Sequence, residues 1–172
     1  MALTSPTTIF ERPLLLLDID GVISLFGFDP AQPPRGSYHS IDGIPHFLAG
    51  EAGAHLHTLS EPYEQVWCSG WEEKANEYLP HLLGLPGPLP FLTFERAPGR
   101  ADAHWKLAAI DAHAGHRALA WIDDAFNGAC HEWARRRAAP TLLLATSPER
   151  GLQRKDVAEL LAWADAQAGS SD

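Results

Sequence analysis

The segment LLLLDIDGV, residues Leu14–Val22, decides the fold of this 172-residue sequence. Four consecutive leucines end abruptly at Asp18, and a second aspartate and a glycine follow at positions 20 and 21. A short run that is apolar at every position is typical of a strand buried on both faces of a parallel sheet. The segment therefore predicts a central strand with Asp18 and Asp20 at its carboxyl end.

Similar short apolar runs recur along the chain, and stripes of apolar residues at helical spacing separate them. Strands that alternate with helices in this way indicate βαβ units, with helices packed on both faces of a parallel sheet. We predict an α/β fold, a three-layer sandwich with a five-stranded sheet. Its other strands are expected at Gln65–Cys68, Pro90–Phe94, Ala118–Ile122 and Thr141–Ala145.

The segment from Ile23 to Phe47 departs from this alternation. It is rich in proline and glycine and shows no helical stripe. A loop of this length inside a compact domain is usually functional. Because it directly follows the acidic strand end, we expect residues 23–47 to form a flap over a site there.

Composition limits the class of protein. Hydrophobic residues make up 45% and charged residues 20% of the chain, which predicts one globular domain over residues 1–172. The formal net charge of −9 argues against extended nucleic-acid binding. No apolar run is long enough to span a bilayer and no secretory signal is recognisable, so we expect a cytoplasmic protein without a membrane partner. Two cysteines, Cys68 and Cys130, are too few for a disulfide framework.

Polar residues follow three of the predicted strands. They are Asp18 and Asp20, Ser69, and the pair Asp123 and Asp124. Ligands of parallel α/β sheets bind beyond the carboxyl ends of the strands, so we expect these side chains to meet. Four carboxylates at one sheet edge repel each other unless a cation or protons neutralise them. Because all the ligand atoms are oxygens, the expected cation is Mg²⁺.

With these residues in place, the sequence resembles the haloacid dehalogenase (HAD) superfamily. Leu14–Val22 is similar to its first motif, Ser69 to its second, Lys106 to its third, and Trp121–Asp124 to its acidic fourth motif. The motifs occur in the family's order, and the likeness covers roughly residues 13–165. The segments around Ser69 and Asp123 also resemble small bacterial HAD proteins, some of them associated with RNA repair.

The resemblance implies a Rossmann-like fold and a Mg²⁺-dependent phosphatase that works through a phosphoaspartate. Asp18 would be the nucleophile, and Asp20 would be the general acid and then the base. Lys106 would hold Asp18 and the phosphate. The implied phosphate-binding residues are Asp18, Gly21, Ser69, Gly70 and Lys106. The implied metal ligands are Asp18, Asp20 through its carbonyl, Asp123 and Asp124.

The spacing of the motifs leaves no room for the large cap domain that many members of this superfamily carry. The core is expected over residues 13–167, with the flap over residues 23–47. An open site of this kind would accept a phosphorylated small molecule or the phosphate terminus of a larger molecule. Side chains of the flap that could contact the substrate are Arg35, Tyr38, His39 and His46.

The same residues also have simpler, purely structural interpretations. Ser69 with Glu72 fits a capping box at the start of a helix. Asp102 fits a helix N-cap, and Asp123–Asp124 could cap the helix that follows them. Lys106 fits a lysine that extends its ammonium group from an apolar helix face into solvent.

Two other functions are compatible with the sequence. One is a receiver-like phosphoacceptor domain in signalling, although receivers carry the acceptor aspartate on the third strand, where Phe91–Phe94 has none. The other is a catalytically idle HAD-like binding protein, which the full set of motif residues disfavours.

Overall fold

The computed structural model describes residues 11–95 and 102–170. Seven strands and five α-helices lie in these ranges, with one short 3-10 helix between α2 and α3. In chain order they are β1 (Leu14–Leu17), β2 (Ser24–Leu25), β3 (Gly36–Ile41), β4 (Ile44–Ala49), α1 (Ala52–Leu59), β5 (Glu64–Trp67), α2 (Lys74–Leu83), the 3-10 helix (Ala103–Lys106), α3 (Leu107–Ala114), β6 (Leu119–Asp123), α4 (Gly128–Arg136), β7 (Thr141–Ala145) and α5 (Arg154–Gly169).

A four-stranded parallel sheet forms the centre of the structure, in the order β5-β1-β6-β7. Strand β1 pairs along its whole length with β5 on one side and with β6 on the other. All four of its leucines have no exposed surface. The four consecutive apolar residues are thus explained by burial on both faces of a central strand. With helices flanking this sheet, the α/β arrangement is compatible with a Rossmann-like fold.

Two hydrophobic cores cover the two faces of the sheet. Leu15 and Leu17 belong to a core that includes residues of α1, α2 and α5. Leu14 and Leu16 belong to the other core, which includes residues of α3 and α4. Because successive side chains of a strand point to opposite faces, the leucine run supplies both cores at once.

The predicted fifth strand, Pro90–Phe94, is reduced to an isolated bridge between Phe91 and Trp67. The Trp67 amide donates to the Pro90 carbonyl at 2.8 Å, and the Leu92 amide donates to the Trp67 carbonyl at 2.9 Å. Proline has no amide hydrogen to give to a ladder, so pairing at this edge remains local. The parallel sheet of the described residues has four strands rather than five.

The segment predicted as an irregular loop, residues 23–47, contains most of a small antiparallel sheet in the order β2-β4-β3. Strands β3 and β4 form a hairpin in which Ile41 pairs with Ile44. Asp42 and Gly43 make the turn, with φ of 51° and 78°. A two-residue Asp-Gly turn with both φ values positive suits the twist of a hairpin. This dipeptide was the sequence signal for the hairpin.

The small antiparallel sheet is attached at both ends. At its turn, Asp42 accepts hydrogen bonds from Lys74 and Tyr78 of α2. At its base, the Ala49 amide donates to the Ile23 carbonyl at 2.9 Å. These contacts hold the small sheet beside the end of β1.

The chain order of the parallel strands creates a crevice between β1 and β6. After β1 the chain crosses to β5 on one side, and it later returns to β6 on the opposite side. Such a reversal separates the connecting loops at the carboxyl ends of the two strands, and ligands of α/β sheets bind there. Asp18 directly follows β1 and Asp123 ends β6, so both lie at this point.

None of the helices in residues 11–95 and 102–170 combines the length and apolarity required to cross a membrane.

Gly151 allows the loop between β7 and α5 to pack against the loop after β1. Its φ is +64°, and a Cβ at this position would lie 2.3 Å from the Val22 carbonyl oxygen. The next amide, of Leu152, donates to that same oxygen at 3.0 Å. The close approach therefore depends on glycine at position 151.

We predict that Gly151→Ala destabilises the fold by about 3 kcal/mol, because a positive φ and a steric clash each cost about 1–2 kcal/mol. Gly84→Ala is the matched control, since Gly84 has φ +67° and, in residues 11–95 and 102–170, no atom lies within 4 Å of the added Cβ. It should lose only about 1 kcal/mol. Urea denaturation measures both values, and equal losses would show that Val22 moves aside at no cost.

Candidate functional site

A cleft of about 630 Å³ opens at the carboxyl ends of β1 and β6. All the residues predicted to form the site line this cleft except Gly21. They are Asp18, Asp20, Ser69, Gly70, Lys106, Asp123 and Asp124. The strand ends and the 3-10 helix thus bring together residues that are far apart in the sequence.

Lys106 lies between two buried carboxylates. Its Nζ is 3.0 Å from Asp18 Oδ1 and 2.6 Å from Asp123 Oδ2. Lys106 is only 3% exposed, and both aspartates are buried. The interpretation of Lys106 as a lysine that extends into solvent is therefore wrong, because its ammonium group points into the site.

Burial and charge act against each other in this triad. Burial raises the pKa of Asp18 above its usual range, although the Lys106 ammonium counteracts this. For Lys106, burial favours the neutral form, but the carboxylates of Asp18 and Asp123 outweigh it, so its pKa is raised. The lysine is consequently held in its charged form, as a fixed cation at the base of the cleft.

Asp124 adds a third carboxylate on the open side of the cleft. Oxygen atoms of Asp18, Asp123 and Asp124 lie within 4.8 Å of one another. Burial raises the pKa of Asp124, and the neighbouring Asp123 carboxylate adds to the increase. One lysine cannot balance three carboxylates, and hard oxygen donors suit Mg²⁺, so these residues fit such an ion.

Asp20 lies at the rim of the cleft, outside this group of three carboxylates. Its side chain is half exposed, and its Oδ2 accepts a hydrogen bond from Trp71 Nε1 at 2.9 Å. His46 Nδ1 is 3.9 Å from Asp20 Oδ1 and 3.0 Å from Ser24 Oγ. The hydrogen bond from Trp71 to Asp20 was missed from the sequence, because no local pattern signals a contact between residues 51 positions apart.

Gly21 shapes the site through its backbone. Its φ is +79°, and a Cβ at this position would lie 2.3 Å from Asp124 Oδ2. Thr146 Oγ1 donates to the Gly21 carbonyl at 2.8 Å and fixes the turn from the β7 side. Glycine is therefore required for the loop after β1 to pass close to Asp124.

Ser69 follows β5 but does not cap a helix. Helix α2 begins at Lys74, and its N-cap residue is Glu73. Ser69 Oγ instead accepts from the Trp71 amide at 3.3 Å, and the Glu72 side chain accepts from the Phe94 amide at 3.0 Å. The predicted capping box is wrong, because residues 70–73 form turns before the helix starts.

The interpretation of Asp102 as an N-cap is confirmed in position only, and that of Asp123–Asp124 as a cap is wrong. Asp102 occupies the N-cap position of the 3-10 helix, but its side chain makes no capping hydrogen bond and lines the cleft. Helix α4 is capped by Asn127, whose side chain accepts from the Cys130 amide at 3.2 Å. Asp123 Oδ1 accepts from the Ala125 amide at 3.0 Å, a local turn that orients its carboxylate.

Of the four side chains predicted to reach the substrate from residues 23–47, His46 lies beside Asp20 and Tyr38 lines a pocket that adjoins the cleft. His39 Nε2 is instead paired with Ser37 Oγ at 2.9 Å. Arg35 precedes β3 and is not among the residues that line the cleft.

We predict that Lys106→Met costs about 3 kcal/mol of stability in chelator, because it leaves two buried carboxylates without their cation. Lys74→Met is the matched control, since Lys74 pairs with Asp42 at the exposed surface. That variant should unfold close to the wild type in urea. Equal stability of both variants would contradict the account of Lys106 as the cation of the site.

The sequence matches no protein-family model and no curated protein.

Proposed function

We propose that this protein is a Mg²⁺-dependent phosphatase that hydrolyses phosphomonoesters through a phosphoaspartate on Asp18. The observation that carries the proposal is the buried Lys106 between Asp18 and Asp123, with Asp124 beside them at the base of an open cleft. Phosphoryl transfer places negative charge on the equatorial oxygens, so a site for it needs fixed positive charge around a nucleophile.

In the first step, an Asp18 oxygen attacks the phosphorus and the ester P–O bond breaks. The leaving oxygen takes a proton from Asp20, which lies at the rim of the same cleft. The hydrogen bond from Trp71 Nε1 holds Asp20 Oδ2, and Asp20 Oδ1, which is 3.9 Å from His46 Nδ1, is the oxygen that would face the leaving group. The product of this step is an alcohol and an acyl phosphate on Asp18.

In the second step, a water oxygen attacks the phosphorus of the acyl phosphate. Asp20 takes a proton from that water, and the bond between phosphorus and the Asp18 oxygen breaks. Inorganic phosphate leaves, Asp18 is again a carboxylate and Asp20 is again protonated. The two proton transfers balance, so Asp20 serves as acid and then as base.

The remaining residues neutralise and orient the phosphoryl group. Lys106 supplies a positive charge that stays in place because both of its partners are buried. Ser69 Oγ lines the cleft and, among the described residues, donates its proton to no protein acceptor, so it is available to a phosphoryl oxygen.

The carboxylates of Asp18, Asp123 and Asp124 and the carbonyl of Asp20 would hold Mg²⁺. The ion supplies charge neutralisation for an anionic nucleophile that approaches an anionic phosphate. The four sequence motifs around Asp18, Ser69, Lys106 and Asp123 support membership of the HAD superfamily, as a single domain without a large cap. In this proposal the small antiparallel sheet is the flap.

We predict that Asp18→Asn abolishes turnover of phenyl phosphate, since an amide cannot act as the nucleophile. Asp20→Asn should slow turnover by about 10²–10⁴-fold, because general acid–base catalysis contributes that much. It should also accumulate a phosphorylated protein, detectable by intact mass spectrometry, because the base for the second step is lost.

Asp165→Asn is the control for these variants, since Asp165 is an exposed residue of α5. It should turn over phenyl phosphate like the wild type. Near-normal activity of Asp18→Asn would rule out the covalent mechanism, and equal activity of the wild type in chelator would rule out the metal.

We predict that Mg²⁺ raises the melting temperature in a concentration-dependent way, because it binds only the folded carboxylate group. Saturation at 100 times Kd adds about 2.7 kcal/mol, which corresponds to a shift of several degrees. Asp123→Asn should reduce this shift, whereas Asp165→Asn should retain it. Differential scanning calorimetry checks the prediction, and identical melting curves in Mg²⁺ and in chelator would contradict it.

A further inference from the structure

A second pocket, of about 380 Å³, adjoins the cleft and shares Asp20 and Phe26 with it. The small antiparallel sheet and the loop after β2 form its walls. Four aromatic side chains line it, and we call it the aromatic pocket; they are Phe26, Phe28, Tyr38 and Phe47.

The rings of the aromatic pocket differ in how much of their surface is exposed. Phe47 is 6% exposed, and the rings of Phe28 and Tyr38 pack against it with centroids at 4.8 and 5.0 Å. Tyr38 is nevertheless 66% exposed and Phe26 is 50% exposed. Large aromatic surfaces left open in a concave site are typical of ligand binding.

The position of Asp20 connects the two cavities chemically. As the proposed acid, Asp20 gives its proton to the oxygen of the leaving group, so the leaving group must lie next to it. The aromatic pocket shares Asp20, which makes it the continuation of the path that the leaving group takes. We infer that the substrate is a nucleoside monophosphate whose base binds in the aromatic pocket, an inference that rests on the proposed phosphatase function.

The charges of the aromatic pocket favour this substrate class over others. Among the described residues, its lining includes the acid Asp20 and the imidazole of His46 but no lysine or arginine. A second phosphate would find no cation there, which disfavours sugar bisphosphates and nucleoside diphosphates. A planar, neutral base can instead stack on the open faces of Phe26 and Tyr38.

The position of the aromatic pocket beyond Asp20 favours a nucleoside over a simple aryl ester. In an aryl phosphate the ring is bonded to the leaving oxygen and stays at Asp20. In a nucleoside monophosphate the sugar separates the phosphate from the base, so the base reaches past Asp20. His46 lines the aromatic pocket with its Nδ1 paired to the buried Ser24 Oγ at 3.0 Å, and its Nε2, which makes no hydrogen bond among the described residues, is a polar partner for a sugar hydroxyl.

Another groove, of about 290 Å³, meets the cleft on the side of Gly70 and Trp71. It is lined by the ion pair between Asp42 and Lys74 and by the exposed Ile44. It shares His46 with the aromatic pocket, but Asp20 does not line it, and Ile44 lines this groove and not the aromatic pocket. This groove provides the control position for the experiment.

The experiment compares kcat/KM for adenosine monophosphate and ribose 5-phosphate, which differ only in the base. The wild type should prefer adenosine monophosphate by at least about tenfold, mainly through KM. Tyr38→Ala should remove most of this preference, and Tyr38→Phe should keep it because the ring remains. Ile44→Ala, a change on the same small sheet, should leave the preference as it is.

Calorimetric titration with adenosine in chelator gives a second readout without turnover. Binding to the wild type that is lost in Tyr38→Ala supports the base site in the aromatic pocket. If adenosine binds in this way and neither ester is hydrolysed, the proposed phosphatase function fails and the base site stands. Equal kcat/KM for the two esters, or a preference that Ile44→Ala removes and Tyr38→Ala keeps, would overturn it. An equal loss on phenyl phosphate in Tyr38→Ala would overturn the assignment to a nucleoside.

Discussion

The buried ion triad of Asp18, Lys106 and Asp123 is the constraint on which the rest of the site depends. Each member comes from a different part of the fold: the end of β1, the 3-10 helix and the end of β6. A buried charge is tolerated only when a partner of opposite charge lies close to it. β1, the 3-10 helix and β6 must therefore be in place at the same time. The triad therefore couples the formation of the parallel sheet to the assembly of the cleft.

The parts of the fold that could be predicted from the sequence are those that a single physical effect determines. Leu14–Leu17 can be apolar at every position only where both faces are covered, and this placed β1 at the centre of the sheet. The acidic residues after β1 and β6 were expected at one edge because parallel strands share their carboxyl ends. Six of the seven other candidate residues do line the same cleft as Asp18, and Gly21 supports it through its backbone.

The predictions that failed have two kinds of cause. Either two local sequence signals favoured different structures, or a contact with a distant residue determined the conformation. Pro90–Phe94 has the apolar character of a strand, but its proline leaves an edge that, within the part of the chain that the structure describes, pairs only at Phe91. Ser69 carries the local signature of a cap, yet turns occupy residues 70–73 and the helix starts later. Two further features depend on contacts between segments that are distant in the sequence: the burial of the Lys106 ammonium and the hydrogen bond from Trp71 to Asp20. Residue spacing along the chain gives no signal for such contacts.

The small antiparallel sheet leaves the core and rejoins it at almost the same place. Its base is closed by the hydrogen bond from Ala49 to Ile23, and α1 begins only three residues after β4 ends. An insertion whose two ends meet is tolerated with little effect on the structure that it interrupts. The outer part of this unit can thus change while the leucine strand and the aspartates stay as they are, whereas Leu48 of β4 must still fill the core that it shares with Leu15 and Leu17. Under the proposed function, the chemistry and the choice of substrate would then be free to evolve at different rates.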